Sequence, residues 1–363
     1  MTRSTHFKVC IVAISLGKGG AERSTALLSR MLVAQGCDVH LVTLTNVIDY
    51  EYAGTLLNLG LLKEKNNSVF GRFLRFKKLK RYLKAEKFDF IIDNRNRQFA
   101  KTELFYLKYV YKGFKIIYVV RSFKLDAYFP KKKKVAKKMI KKAHKIVGVS
   151  KAIAEEINTR YKTTKAQHIY NPVAPLPAVS TTETNAKAYI VFLGRLEENV
   201  KNFSLLLEGY KFSQLAENKV GLKLFGDGPD KLFIKKKISE LQLEKDVELI
   251  PFTPNVTSAL VNAKFLVLTS YYEGFPRVLI EALSAGTPVV SVDCKSGPAE
   301  IVKHEHNGLL VENHNAMQLA AAMNKMILDK ALYSTLKENA KSSVSHLKMD
   351  EIAKKWLKLL QDA

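Results

Sequence analysis

Two glutamates with seven residues between them, Glu273 and Glu281, are the side chains of this sequence best spaced to do chemistry. Between them lies Gly274-Phe275-Pro276-Arg277-Val278-Leu279-Ile280, in which Pro276 or Arg277 opens a helix and Glu281 falls just over a turn into it. A carboxylate accepts two hydrogen bonds from a vicinal diol, so one glutamate suits the hydroxyls of a ribose and the other those of a sugar. The backbone N–H groups of Gly274, Phe275 and Arg277 would face sugar hydroxyls or phosphate. Taken singly, each glutamate has a plain structural role as well: Glu273 as an acid favoured near a helix N-terminus, Glu281 as an exposed helical residue.

Three further loops follow strand-type runs. Gly194-Arg195-Leu196 leads to Lys201-Asn202 at a helix start, and two cations near a helix N-terminus suit a diphosphate. A diphosphate leaving group gains negative charge as its bond to a sugar breaks, and such cations stabilise it without a metal. Solvated surface charges would read the same way. Gly17-Lys18-Gly19-Gly20-Ala21-Glu22-Arg23 lets backbone approach an anion through Gly19 and Gly20, or is a tight turn; its spacing is neither a dinucleotide fingerprint nor a P-loop. Gly226-Asp227-Gly228-Pro229 serves turn geometry first and leaves room for a nucleotide second. Arg95 and Arg97, in Asp93-Asn94-Arg95-Asn96-Arg97, are expected where a phosphorylated acceptor would lie.

The elements that must hold these loops alternate. Apolar runs at Phe7–Leu16, Val39–Leu44, Phe88–Ile92, Lys115–Val120 and Lys145–Val149 predict strands, separated by helices at Ala21–Ala34, Phe70–Ala85 and Lys133–His144. The second half repeats the plan. Strands are expected at Ala188–Leu193, Gly221–Phe225, Val247–Pro251, Lys264–Thr269 and Pro288–Val292, with helices at Asn202–Tyr210, Asp230–Leu241, Arg277–Ala285 and Ala316–Asp329. Continuous apolar strands between amphipathic helices imply parallel sheets covered on both faces. The fold class is α/β, with two Rossmann-like doubly wound domains facing across a cleft: residues 1–175 and 176–348, with Asn171–Asn185 as linker. The last helix, within 349–363, is expected to pack back on the first domain.

The net charge of +25 is carried by one half. Residues 1–180 hold 36 Lys+Arg against 12 Asp+Glu, a net of +24, which leaves +1 for the remainder. The first domain should therefore face something anionic. Two Lys-rich helical stretches, 72–84 and 131–145, mix cations with apolar residues as interfacial helices do. With no nucleic-acid motif beside them, membrane lipid is preferred over nucleic acid as the partner. No run is long enough to span a bilayer. Cys10, Cys37 and Cys294 fit neither zinc spacing nor a disulfide framework, which points to a reducing cytosol.

In combination these motifs resemble the retaining glycosyltransferases of the GT-B fold, specifically the glycosyl transferases group 1, or family 4 (GT4). The resemblance covers nearly the whole chain and is strongest from Val191 to Val311, through VFLGRLEENVKN, LFGDGPD, EGFPRVLIEALSAGTPVVSVD and SGPAEIV; in the first half it rests on SLGKGGAERS, VGVSKAIAEEI and IYNPV. It implies that Glu281 holds the donor ribose, that Glu273 sits by the donor sugar, that Arg195 and Lys201 contact the diphosphate, and that Gly19 and Gly20 form the flexible glycine loop. The donor would be a nucleotide sugar, most commonly a UDP-sugar, used without cofactor or metal. The acceptor would be a lipid-linked or lipopolysaccharide-type glycan at the inner face of the cell membrane. Two departures stand out. Val120-Arg121-Ser122-Phe123 lacks the histidine that many members carry there, so Arg121 or Ser122 fills that space, and Pro276 removes one backbone N–H. An epimerase acting on nucleotide sugars and a basic nucleic-acid-binding protein are the alternatives.

Overall fold

The β-branched runs of the first half become strands buried on both faces: Val9, Ile11, Val12, Ile91, Ile92, Ile117 and Val147 are almost wholly excluded from solvent. In the computed structural model, which describes residues 7–177, 187–253 and 255–362, they belong to β1 (Lys8–Ala13), β2 (Asp38–Thr43), β3 (Thr55–Asn58), β4 (Phe90–Asp93), β5 (Lys115–Val120), β6 (Lys145–Gly148) and β7 (Ala166–His168). The sheet is parallel in the order β3-β2-β1-β4-β5-β6-β7, with Ile11 in register with Leu41 on one side and Ile92 on the other. Helices α1 (Gly20–Ala34), α2 (Gly60–Lys65), α3 (Val69–Glu86), α4 (Ala100–Phe105), α5 (Lys133–Lys142) and α6 (Lys151–Tyr161) make the crossovers. Strand order runs one way from β1 to β2 and the other way from β4 onward. Right-handed crossovers therefore place α1 on one face and α3, α4 and α5 on the other. Accordingly α4 packs on α5, and α3 on the π-helical turn Tyr106–Val110 that continues α4.

The second sheet is also parallel, in the order β10-β9-β8-β11-β12-β13, from β8 (Tyr189–Leu193), β9 (Gly221–Phe225), β10 (Val247–Ile250), β11 (Leu266–Leu268), β12 (Val289–Val292) and β13 (Gly308–Val311). Around it lie α7 (Glu198–Lys201), α8 (Phe203–Phe212), α9 (Lys231–Glu240), α10 (Thr257–Val261), α11 (Arg277–Ala285), α12 (Pro298–Ile301), α13 (Ala316–Leu328) and α14 (Lys330–Ser343). The edge-to-face pair Phe192–Phe203, with ring centroids 4.8 Å apart, sits in a core with Leu206, Leu222 and Val290. β8 and β11 are neighbours in the sheet although two strands separate them in sequence. This is where strand order reverses, and such switch points are where open α/β sheets bind ligands.

The chain divides into two units, Met1–Pro172 with Leu347–Ala363, and Val173–His346. The last helix, α15 (Met349–Gln361), buries Ile352, Ala353, Trp356, Leu359 and Leu360 and packs against α1. The part of the expected linker from 178 to 185 lies outside the described residues. Three strands, β3, β7 and β13, extend the sheets beyond the sequence expectation.

Candidate functional site

The switch point of the second sheet brings Lys201 and Glu273 together. Lys201 ends α7, which follows β8; Glu273 lies in the loop after β11, and strand adjacency closes the gap of 72 residues. Lys201 Nζ lies 2.6 Å from Glu273 Oε1, which also accepts from Ser270 Oγ at 2.7 Å. Both charged side chains are mostly buried, 17% and 14% exposed. Thr269 Oγ1 donates to the Lys201 carbonyl and the Tyr271 N–H to that of Val200, each at 2.9 Å, which ties the two loops to each other. Glu273 N donates to Lys295 O at 3.0 Å, and Ser296 Oγ to Gly274 O at 2.9 Å, so the loop after β12 supports the same turn.

The second glutamate is not the exposed helical residue that spacing alone allows. Glu281 is 4% exposed and accepts from Arg277 Nη2 at 2.9 Å, one turn earlier on α11; Arg277 is 8% exposed. Pro276 is the N-cap of α11, and Phe275 is buried behind it. Gly226, at φ 155, passes so near the Gly194 carbonyl that a Cβ would collide with it, and Gly228 approaches Leu196 in the same way. These glycines join the loop after β9 to the Gly194-Arg195-Leu196 turn. Lys201 lies along that turn as well, its Cε 3.5 Å from where a Cβ on Gly194 would stand. Arg195 itself points outward, its side chain 70% exposed and its Nε 3.5 Å from Glu197 Oε2. The first N–H groups of α8 are already taken: Glu198 accepts from Phe203 N and Asn202 from Leu205 N. Charge at this point comes from side chains.

In the first unit, the carboxyl edge of the sheet collects Gly19, Gly20, Arg121 and Ser122. Gly19, at φ 148, is the N-cap of α1, which has no side-chain cap. A Cβ on Gly19 would strike the Glu22 carboxylate. Burial pushes the Glu22 carboxyl above its ordinary value, partly offset by the Arg121 guanidinium. Glu22 is therefore a further candidate; the sequence shows an acid beside a glycine turn, and its burial is seen only in the structure. Arg121 donates to Asn171 Oδ1 at 2.9 Å and to Asn94 Oδ1 at 3.3 Å, while Asn94 reaches Thr25 of α1 at 3.1 Å. Ser122 Oγ accepts from Lys124 N at 3.2 Å, a turn-closing contact.

Arg95 and Arg97 do not serve as acceptor contacts. Arg95 is 3% exposed and held by Asp93 at 2.8 Å and Glu103 at 3.1 Å, with its guanidinium over the Tyr106 ring. Arg97 is wholly buried and donates to the carbonyls of Asp93, Arg95, Val119 and Tyr128. These guanidiniums cross-link the loops after β4 and β5, beneath the partly exposed Arg121.

Two family models together match most of the chain: Glycosyltransferase Family 4 over residues 18–175 and Glycosyl transferases group 1 over residues 179–343. The chain belongs to this family of glycosyltransferases. Over 97% of this chain and 99% of its own length, a Campylobacter jejuni enzyme is 29% identical: N-acetylgalactosamine-N,N'-diacetylbacillosaminyl-diphospho-undecaprenol 4-alpha-N-acetylgalactosaminyltransferase. The crystal structure of a Staphylococcus aureus TarM mutant with Fondaparinux, alpha-GlcNAc-glycerol and UDP superposes with a TM-score of 0.78 at 16% identity, over 97% of this chain and 99% of that one. Anabaena HepE with UDP-glucose gives 0.77 at 18% identity, over 99% of this chain and all of that one. The fold of this glycosyltransferase is thus GT-B, two Rossmann-like domains each with a parallel sheet.

Proposed function

We propose that this glycosyltransferase takes sugar from a UDP-sugar with retention of configuration and passes it to a lipid-linked or polysaccharide acceptor. The observation that carries the donor half is the Lys201–Glu273 pair at the switch point, with Arg277–Glu281 one helix turn away. A cation already oriented by a carboxylate is preorganised for a diphosphate. Glu281, fixed by Arg277, is placed for a ribose diol, and Glu273 for the sugar. UDP and UDP-glucose accompany the two structural neighbours, and the Campylobacter relative acts on an undecaprenol diphosphate-linked glycan. In this reading Lys201 and Arg195 meet the charge on the leaving diphosphate, which takes the acceptor proton during front-face attack, and no metal is required. The first unit presents the acceptor through Gly19, Gly20, Arg121 and Ser122. It works as a peripheral protein at the inner membrane surface, with the Lys-rich stretches 72–84 and 131–145 toward anionic lipid. Among the described residues no helix is long and apolar enough to cross a membrane.

A donor panel read by mass spectrometry tests this. Wild type should turn over a UDP-sugar, with or without EDTA, and Lys201→Met should lose at least tenfold in kcat/KM. Glu281→Gln should weaken donor binding while the protein stays folded, whereas Glu281→Ala also removes the carboxylate that Arg277 donates to and should lower stability as well. Failure of the wild type to bind or turn over any UDP-, GDP- or ADP-sugar would sink the proposal. Retention is read from the anomeric configuration of the product.

A further inference from the structure

The apolar side chains left in solvent by the first unit are not scattered. Val69 (87%) and Phe70 (67%) are among the most exposed, followed along the same face of α3 by Phe73 (46%) and Leu74 (44%). The spacing i, i+3, i+4 makes these four one stripe over the first two turns. On that face the next two turns carry Lys77, Lys78, Arg81 and Lys84, all exposed, while Leu79 and Leu83 are buried on the opposite face. The face therefore changes from apolar to cationic along the axis, with Lys77 about 10 Å beyond Phe70. That spacing matches the depth of about 5–10 Å to which interfacial apolar faces sink below lipid headgroups.

The apolar end lies at the chemical edge of the sheet. α3 runs down to the start of β4, so its N-terminus stands at the carboxyl ends of the strands. There the end of β3 and the N-cap of α2 are fastened to β2 and the loop after it by Leu59 N to Thr43 O at 2.9 Å and Asn58 Nδ2 to Asn46 Oδ1 at 2.7 Å. Other exposed apolar residues belong to the same edge: Val47 and Ile48 after β2, and Phe99 after β4. The second Lys-rich helix is built differently. In α5, Val135, Ala136, Met139 and Ile140 are all buried, which leaves a face of lysines only. Both helices lie on one side of the sheet.

We propose that the first two turns of α3 are an insertion tip that enters an anionic bilayer, with Val69, Phe70, Phe73 and Leu74 below the phosphates and Lys77, Lys78 and Arg81 among them. α5 adds attraction without insertion. A second copy of the chain is a poor occupant, because it would set the same cations against each other in a protein of net charge +25. The tip deepens the membrane-facing reading above and rests on it: it holds the acceptor-side loops at the surface from which a lipid-linked glycan projects.

The test uses the full chain and vesicles of phosphatidylcholine with and without phosphatidylglycerol. The only tryptophan, Trp356, is 4% exposed and serves as an internal reference. Phe70→Trp should shift to the blue and be quenched by brominated acyl chains on phosphatidylglycerol vesicles, while wild type stays unchanged. The double variant F70S/F73S should lose affinity by about a hundredfold at low and high salt alike. K77E/K78E should lose it chiefly at low salt. Circular dichroism verifies that each variant is folded. An unquenched Phe70→Trp, a F70S/F73S protein that floats like wild type, or a dimer in sedimentation that F70S/F73S abolishes, each overturns the proposal. Sugar transfer to a detergent-solubilised lipid-linked acceptor separates the two readings. Transfer without insertion removes the tip alone, and insertion without transfer from any donor removes the proposed function alone.

Discussion

Glu22 shows how one side chain can set local chemistry against stability. Its carboxyl is raised by burial more than the Arg121 charge lowers it. An acid raised on folding holds its proton more tightly in the native than in the unfolded chain, so stability falls as pH rises from the ordinary value of 4.5 through the folded one. Glu22→Gln should therefore raise the melting temperature at neutral pH and give no gain well below pH 4. A gain of equal size across that range would show that ionisation is not the cause. A residue that weakens the fold yet stands beside the α1 glycine turn is a candidate for acceptor chemistry. The sequence made Glu273, Glu281 and Lys201 legible because family spacing marks them. Their partners were less so. That Arg277 holds Glu281, or that Asn202 and Glu198 close the start of α8, depends on side-chain directions that spacing does not carry.

At the scale of elements, the loop after β4 shows where reading charge from sequence fails. Arg95 and Arg97 look like surface cations, but Tyr106, Tyr111, Tyr118 and Tyr128, distributed over the next strand and its flanking loops, form an aromatic cage around them. Burial pushes the Asp93 carboxyl up, and the two guanidiniums more than offset this, which leaves it below the ordinary carboxylate range; Glu103, on the rim, is raised by its burial. An acid lowered on folding contributes stability above its unfolded value, lost as pH falls through the folded one. Asp93→Asn should then cost about 3–5 kcal/mol at neutral pH, because it leaves two buried cations short of a partner. The cost should shrink in acid, as followed by denaturant titration. A cost below about 1 kcal/mol at neutral pH would mean that the cluster is not the clamp described. The strands of both sheet centres were legible as continuous apolar runs. β3 and β7 were not: as edge strands they are short and partly exposed, with residues such as Asn58 and His168 that no core demands. Composition likewise could not separate α3 from α5, since only packing shows which apolar residues are consumed by the core.

For the whole molecule, the consequential fact is that the first unit is made from both ends of the chain. α15 returns five largely apolar side chains to it, against the helix whose N-terminus carries Gly19, Gly20 and Glu22. Burying four large apolar side chains at about 1.5–3 kcal/mol each is worth on the order of 6–12 kcal/mol as an upper bound. An entire domain is stable by only about 5–15 kcal/mol. The two figures overlap, so the first unit should not survive without α15, although all its described residues from 7 to 172 would remain. The second unit, Val173–His346, holds both ion pairs of the candidate donor site. Truncation after Lys348 should accordingly produce a protein in which limited proteolysis cuts within residues 7–172 at many sites and spares the second unit. It should bind the nucleotide but transfer no sugar. A truncated protein with a protease-resistant first unit would show that α15 is an accessory, and that the covered face of α1 is stable in water on its own.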